Sequence, residues 1–246
     1  MKTQQLFLLF LISFTSIFAQ EQIQFPSEDG LQITGDYYKT DAKKFIILFH
    51  QAGYSRGAYR EIAPKLNTMG YSCLAIDQRS GKSVNDVPNL TFKAAQEKGL
   101  STKYIDAYQD IKATIAYVKK TYEPEELIIW GSSYSSSLVL KHGGEFPDQV
   151  DGILAFSPGE YYEDKQYIQS TASDIQVPTF ITSAANEQKA WQEIYDAIPE
   201  AYRNFFIPEV DGIHGSRALW GQFPFSGDYW KAVTDFLKNK VKKKED

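Results

Sequence analysis

A Gly-x-Ser-x-Ser pattern at residues 131–135 is the part of the sequence best suited to chemistry. It follows the apolar run at residues 127–130 directly, and a helical stretch comes after it. A tight turn from a strand into a helix forces its central residue into a strained backbone conformation and lifts that side chain above the sheet. Small residues are needed two positions before and after it, because the strand and the helix approach closely. The pattern predicts Ser133 as a nucleophile.

A serine hydroxyl needs a general base, and the chain has 3 histidines. His142 lies within the helical stretch after the serine pattern, so we expect it to be structural. His50 ends an apolar run and begins a loop. His214 follows the last predicted strand, in the sequence Asp-Gly-Ile-His-Gly. In open α/β sheets the functional groups lie in the loops that leave the carboxyl ends of the strands. His50 and His214 both lie in such loops.

The strand, Gly-x-Ser-x-Ser turn and helix resemble the α/β-hydrolase family, most nearly its small esterases of the dienelactone-hydrolase-like kind. The resemblance covers essentially the whole chain after residue 19. It implies Ser133 as the nucleophile and His214 as the base, in the family order of Ser, acid and His. The family usually has Gly where this chain has Ser135, which is also small.

The same resemblance implies that the acid follows the second strand after the nucleophile. The family pattern there is Pro, an apolar run, two small residues, and then Asp or Glu. Counting from Pro178, this pattern reaches Glu187. Glu160 is the alternative, since some family members take the acid from the earlier strand. Either carboxylate would hold the imidazole in the correct tautomer and stabilise its charged form.

An oxyanion hole in this family uses two backbone N–H groups, one from the residue after the nucleophile and one from the loop after an earlier strand. The first would be Tyr134. The second loop has Gln51 where the family typically has Gly, so Ala52 is the favoured donor and Gln51 the alternative. Asp77 and Arg79 match a family loop whose usual role is structural, beside the nucleophile.

The elements that must position these residues alternate along the chain. We predict strands at residues 22–25, 31–38, 45–49, 71–76, 127–130, 152–156, 177–182 and 204–207, and helices at 59–67, 102–120, 136–142, 188–197 and 229–238. Apolar strands that alternate with amphipathic helices favour parallel pairing with helices on both faces. The predicted fold is a mostly parallel twisted α/β sheet, with an N-terminal antiparallel hairpin turning at Asp29-Gly30. Residues 20–246 are predicted to form a single domain.

The first 19 residues have the features of a secretory signal peptide. Lys2 is followed by an uncharged run at residues 6–18, and Ala19 offers a small residue for cleavage. The run is short for a membrane span, although an uncleaved anchor is the alternative. We therefore predict a secreted or periplasmic protein without stable membrane insertion after cleavage.

Composition excludes several classes of protein. The formal net charge of −5 argues against a dedicated nucleic-acid binder, which usually has a basic face. Gly81-Lys82-Ser83 ends like a phosphate-binding loop, but Ile76 stands where the first Gly of that motif is required. Scattered histidines and one cysteine give no metal pattern, so no metal or cofactor is predicted.

These residues predict a serine hydrolase that cleaves a carboxylic ester of a small molecule through an acyl-enzyme intermediate. Two alternatives are a peptidase or amidase on the same scaffold and a non-catalytic binding protein of this fold. Seven aromatic residues lie in or beside the loops expected around the nucleophile, and they would form a substrate pocket or fill the core. They are Tyr54, Tyr59, Tyr134, Tyr161, Tyr162, Trp220 and Phe223.

Overall fold

A computed structural model describes residues 20–241. The predicted signal peptide at residues 1–19 lies outside the described residues. Within the described part, the strands are β1 (Gln20–Pro26), β2 (Gln32–Tyr38), β3 (Lys44–Phe49), β4 (Ser72–Ile76), β5 (Ser83–Val84), β6 (Val87–Pro88), β7 (Glu126–Ser132), β8 (Gly152–Phe156), β9 (Thr179–Thr182) and β10 (Arg203–Phe206). The helices are α1 (Ile62–Thr68), α2 (Leu90–Glu97), α3 (Ala107–Tyr122), α4 (Tyr134–Glu145), α5 (Gln169–Ala172), α6 (Gln188–Ala197) and α7 (Ser226–Asn239).

One mixed sheet in the described chain has the strand order β1-β2-β4-β3-β7-β8-β9-β10. Strands β1 and β2 form the antiparallel hairpin, and β2 also pairs antiparallel with β4. All pairs from β4 through β3 and β7 to β10 are parallel. The predicted α/β fold and its N-terminal hairpin are confirmed.

The two faces of the sheet are covered by separate apolar clusters. Along β3, Phe45, Ile47 and Phe49 point to one cluster, while Ile46 and Leu48 point to the other. This alternation follows from the two-residue period of a strand. Helices α3, α4 and α6 cover the first face, and α1 and α7 cover the second. Burial on both faces explains why the central strands read as continuous apolar runs.

Several short elements were not predicted from the sequence. Helix α2 buries only Thr91 and Ala95, so it lacks the apolar stripe that marks an amphipathic helix. Its start is set by the Asn89 side chain, which accepts a hydrogen bond from the Phe92 N–H at 2.7 Å. Helix α5 and the β5–β6 hairpin are shorter still, and the predicted helix at 102–120 begins with a 3₁₀ turn at Tyr104–Asp106. Across residues 20–241, no helix is both long and apolar enough to cross a membrane.

The buried arginines Arg56 and Arg79 hold the loop after β4. This agrees with the structural role predicted for the stretch that contains Asp77 and Arg79. The Arg79 guanidinium donates to Asp110 of α3 at 2.7 Å and to Asp29 of the β1–β2 turn at 2.8 Å. Asp77 instead pairs with Arg56 at 2.6 Å. Asp77 and Arg79 therefore anchor the same loop to different elements of the fold.

We predict that Asp110→Ala lowers the free energy of unfolding by about 3–5 kcal/mol, because it leaves the buried Arg79 charge without its main partner. Urea denaturation followed by circular dichroism measures this change. The matched control is Asp235→Ala, which breaks an exposed pair with Lys231 at 2.9 Å. The control should move the midpoint by only a small fraction of the Asp110→Ala shift, and equal shifts would contradict the prediction.

Candidate active site

The turn between β7 and α4 has the geometry of a strained nucleophile elbow. Ser133 has φ 59° and ψ −127°, a backbone conformation that residues other than glycine rarely adopt. A Cβ atom at Gly131 would overlap the backbone of Ser135 and Ser136. Only glycine therefore fits at position 131, and the close packing of strand and helix keeps Ser133 in its strained conformation.

Ser135, which departs from the family pattern, has a defined structural role. Its hydroxyl donates to the Phe49 carbonyl at 2.8 Å, and it accepts the Ser132 N–H at 2.9 Å. These bonds connect the end of β3 to the elbow that follows β7. The hydroxyl thus fixes the loop after β3 relative to Ser133, which a glycine could not do.

The structure brings Ser133, His214 and Glu187 together from three separate loops. His214 Nε2 lies 2.8 Å from Ser133 Oγ, and His214 Nδ1 lies 2.5 Å from Glu187 Oε1. When the imidazole carries its proton on Nδ1, Nε2 accepts a hydrogen bond from the Ser133 hydroxyl, and Nδ1–H donates one to the Glu187 carboxylate. Ser133 is 8% exposed, whereas the His214 side chain is 32% exposed. The imidazole is therefore partly open to solvent.

Ser157, at the end of β8, supports this arrangement and was missed by the sequence analysis. Its hydroxyl donates to Glu187 Oε2 at 2.7 Å and accepts the Gly215 N–H at 2.9 Å. It thereby fixes both the carboxylate and the loop that carries His214. Ser157 also has a positive φ of 55°. In the sequence, Ser157 is marked only as a serine that directly follows an apolar strand, and this feature is common to many loops.

The electrostatics of the site favour an ionised Glu187. Burial acts to raise the pKa of this carboxyl, but the hydrogen bonds from His214 and Ser157 outweigh burial and hold its pKa below the ordinary value. A further N–H bond comes from the backbone of Ala184 at 3.2 Å. The charged form can therefore stabilise a positive imidazolium on His214.

The alternative acid, Glu160, lies elsewhere in the loop after β8. Its carboxylate accepts backbone N–H groups of Ile168 at 3.0 Å and Gln169 at 2.8 Å. It therefore holds the start of α5 rather than the imidazole.

Neither of the other two histidines is bonded to Ser133. His50 is fully buried, with Nε2 accepting the Gln78 N–H at 3.0 Å, and burial lowers its pKa to about 4. His142 is buried within α4, as the sequence predicted. His214 is thus the histidine that the fold brings to Ser133.

The two predicted oxyanion donors, Ala52 and Tyr134, follow the neighbouring strands β3 and β7. Tyr134 is the first residue of α4, where backbone N–H groups lack acceptors within the helix. Ala52 is half-buried in the loop that leaves β3. The Gln51 side chain accepts the Ser132 hydroxyl at 3.4 Å, which directs it towards the elbow. The oxyanion roles of Ala52 and Tyr134 stay predictions.

The predicted aromatic residues divide between core and surface. Tyr59, Tyr134, Tyr162 and Trp220 are buried, so they belong mainly to the packing around the loops. Tyr161 is 39% exposed, and its hydroxyl donates to the Ser157 carbonyl at 2.8 Å.

Tyr104 was missed by the sequence analysis, although it stacks on the Tyr134 ring with centroids 4.7 Å apart and is 42% exposed. Nothing in the sequence indicates this position, because residue 104 is predicted to belong to a long amphipathic helix rather than to a loop.

No grouping of three or more His, Cys, Asp or Glu side chains suited to a metal ion occurs among the residues that the structure describes.

Solved structures with the same fold are numerous. An esterase of Pyrococcus furiosus superposes with a TM-score of 0.70 at 19% identity, over 92% of this chain and 94% of that chain. A dienelactone hydrolase of Anabaena variabilis gives a TM-score of 0.71 at 11% identity, over 91% and 99%. A predicted CIB-like hydrolase of Thermoplasma acidophilum gives 0.65 at 17% identity, over 90% and 99%. At these identities the likeness establishes the fold.

Sequence comparison adds the family. A search of curated proteins finds no match. The family model described as serine aminopeptidase, S33, matches residues 40–170, which include the nucleophile elbow and more than half of the 246 residues. The fold and this match together show that the chain belongs to the α/β-hydrolase family, in the group described as serine aminopeptidase S33.

Proposed function

We propose that this chain is an exported serine hydrolase that cleaves a carboxylic ester of a small molecule through an acyl-enzyme intermediate. Ser133 is the nucleophile, His214 the general base, Glu187 the acid, and the backbone N–H groups of Ala52 and Tyr134 form the oxyanion hole. The observation that carries the proposal is the chain of hydrogen bonds from Ser133 Oγ through the His214 imidazole to Glu187, at 2.8 and 2.5 Å.

The first half of the reaction forms the acyl-enzyme. Ser133 Oγ attacks the ester carbonyl while His214 Nε2 takes its proton. The imidazolium that forms keeps its Nδ1–H bond to ionised Glu187, which stabilises the positive charge. The carbonyl oxygen becomes negative and is held by the two backbone N–H groups, with the N-terminus of α4 adding its positive dipole end. His214 then gives the proton to the departing alcohol oxygen.

The second half releases the acid. A water molecule gives a proton to His214 Nε2 and attacks the acyl carbon, again through a tetrahedral oxyanion. Collapse of this intermediate breaks the bond to Ser133 Oγ, and His214 returns the proton to the serine. The enzyme is thereby restored with no cofactor consumed.

A peptidase or amidase is the second candidate function, and the aminopeptidase description of the matching family model favours it. The same groups can attack an amide, but the leaving amine requires protonation by His214. The segment between β8 and β9 is short and contains the four-residue helix α5. A small cover of this kind leaves the site open, which favours esters over selection of peptide ends.

Export is part of the proposal and rests on the N-terminal sequence. The basic Lys2, the uncharged run at 6–18 and the small residue Ala19 are typical of a cleaved signal peptide. A secreted or periplasmic location follows from that interpretation.

We predict that Ser133→Ala lowers ester hydrolysis by at least about 10³-fold without unfolding the chain, because the attacking oxygen is removed. The measurement is the initial rate on an ester and an amide of the same acid, and the unaltered chain should favour the ester. Ser170→Ala, which changes an exposed serine, is the control and should keep the unaltered rate. Near-native activity in Ser133→Ala would contradict the proposed nucleophile, and a preference for the amide would favour the peptidase.

Glu187→Gln should lower kcat on the order of 10³-fold, because a neutral amide cannot stabilise the imidazolium or enforce its tautomer. Steady-state kinetics on the same ester measures the loss. Glu160→Gln is the matched comparison, since Glu160 is bonded to the backbone at the start of α5 and was the alternative acid. A larger loss from Glu160→Gln than from Glu187→Gln would overturn the assignment.

Ser157→Ala should lower kcat about 10- to 100-fold with KM nearly unchanged, because a hydrogen bond to a charged group contributes about 1.5–3 kcal/mol. Alanine and serine have similar freedom at a positive φ, so the backbone is little affected. The separate values of kcat and KM give the test. A rise in KM at constant kcat would show that Ser157 acts on substrate binding rather than on Glu187 and His214.

A further inference from the structure

A cavity of about 560 Å³ lies between the N-terminal end of α3 and the loop that follows β8. Four of its lining residues are tyrosines, and three carry charged side chains. The lining residues are Lys103, Tyr104, Ile105, Tyr161, Tyr162, Glu163, Asp164 and Tyr167. The charged side chains Lys103, Glu163 and Asp164 are exposed. The cavity is large enough for a single aromatic ring with its substituents.

Two of the wall tyrosines use their hydroxyls within the protein. Tyr161 donates to the Ser157 carbonyl at 2.8 Å, and Tyr162 donates to the Tyr134 carbonyl at 2.7 Å. These bonds fix both rings, and the exposed Tyr161 ring keeps carbon surface for a ligand, whereas the Tyr162 ring is buried in the wall. Burial also raises the pKa of Tyr161 to about 12, so its hydroxyl stays protonated. The cavity therefore presents ring faces more than free hydroxyl groups.

The cavity adjoins the nucleophile through two side chains. The Tyr161 hydroxyl donates to the carbonyl of Ser157, whose own hydroxyl is bonded to Glu187, while the Tyr161 ring lines the cavity. The Tyr104 ring stacks on Tyr134, the residue next to the nucleophile, and its exposed part lines the same cavity. The Tyr161–Ser157 hydrogen bond and the Tyr104–Tyr134 stack thus join the near wall of the cavity to residues beside the site.

The topology places this cavity opposite the proposed oxyanion loop. Strand β7 pairs with β3 on one edge and with β8 on the other. Ala52 belongs to the loop after β3, whereas Tyr161 belongs to the loop after β8. When the carbonyl oxygen of a bound ester points towards the loop after β3, either its acyl chain or its alcohol group therefore points towards the cavity.

We propose that this cavity binds a planar aromatic group of the substrate, between the rings of Tyr104 and Tyr161. The inference rests on the proposed esterase function and gives it a substrate class. Aromatic rings in offset or edge-to-face contact gain stability beyond their buried area. A sugar would instead need several directed hydrogen bonds, and two of the wall hydroxyls are already bonded to the backbone.

The test compares esters that carry a planar aromatic ring with esters that carry a saturated ring of the same size. One pair is methyl 3-phenylpropanoate and methyl 3-cyclohexylpropanoate, which places the ring on the acyl side. The other is benzyl acetate and cyclohexylmethyl acetate, which places it on the alcohol side. We expect kcat/KM to favour the aromatic ester by about tenfold in at least one pair, with the responsive pair identifying the side.

Variants locate the preference in the cavity. Tyr104→Ala should reduce the aromatic preference to within about twofold, because one ring face is lost, whereas Tyr104→Phe should keep it. The matched control is Phe205→Ala, since Phe205 is 53% exposed on the edge strand β10 and lies outside the cavity. Phe205→Ala should change neither the preference nor the rate on ethyl acetate.

Calorimetric titration of the Ser133→Ala chain with methyl 3-phenylpropanoate and benzyl acetate separates the two proposals. If the Ser133→Ala chain binds either ester and the Ser133→Ala, Tyr104→Ala double variant does not, the cavity proposal is supported. This holds even if the unaltered chain hydrolyses no ester, and then only the proposed esterase function fails. Ester hydrolysis without aromatic preference in either pair, or a preference that Tyr104→Ala leaves intact, would overturn the cavity proposal. Absence of both binding and hydrolysis would overturn both.

Discussion

The close approach of β7 and α4 at Gly131 is the constraint on which the site depends. A side chain there would overlap the first turn of the helix, so the strand and helix meet only because residue 131 is glycine. Their meeting forces Ser133 to φ 59° and lifts its hydroxyl above the carboxyl edge of the sheet. The conformational strain at one residue is maintained by the burial of the whole β7 strand and nearly all of α4.

Short hydrogen bonds then bring distant loops to this raised hydroxyl. Ser135 connects the elbow to β3, and the Ser132 hydroxyl accepts the Ser216 N–H at 2.9 Å in the loop that carries His214. Ser157 connects that same loop to Glu187. Ser132, Ser135 and Ser157 thus set the relative positions of Ser133, the His214 imidazole and the Glu187 carboxylate. The fold supplies parallel strands that end at one edge, and these hydroxyls determine the spacing between their loops.

Local patterns made much of this arrangement predictable from the sequence. The apolar strands and the Gly-x-Ser-x-Ser turn are encoded within a few residues, so the fold and Ser133 could be inferred directly. Glu187 and His214 followed from a family resemblance that fixes their order along the chain. Ser157 and Tyr104 escaped prediction because their importance depends on contacts with residues about 30 positions away, Glu187 and Tyr134. Helix α2 escaped because its start depends on an Asn89 cap and not on an apolar stripe.

The proposed function depends on activation of Ser133 by the imidazole of His214, which lies 81 residues further along the chain. Labelling with a serine-directed fluorophosphonate, followed by peptide mass spectrometry, tests it most directly. We expect one phosphonate adduct at Ser133, formed rapidly by the unaltered chain and at least about 10²-fold more slowly by His214→Ala. No adduct at Ser133, or equal labelling rates in the two chains, would contradict it and favour a non-catalytic binding protein of this fold.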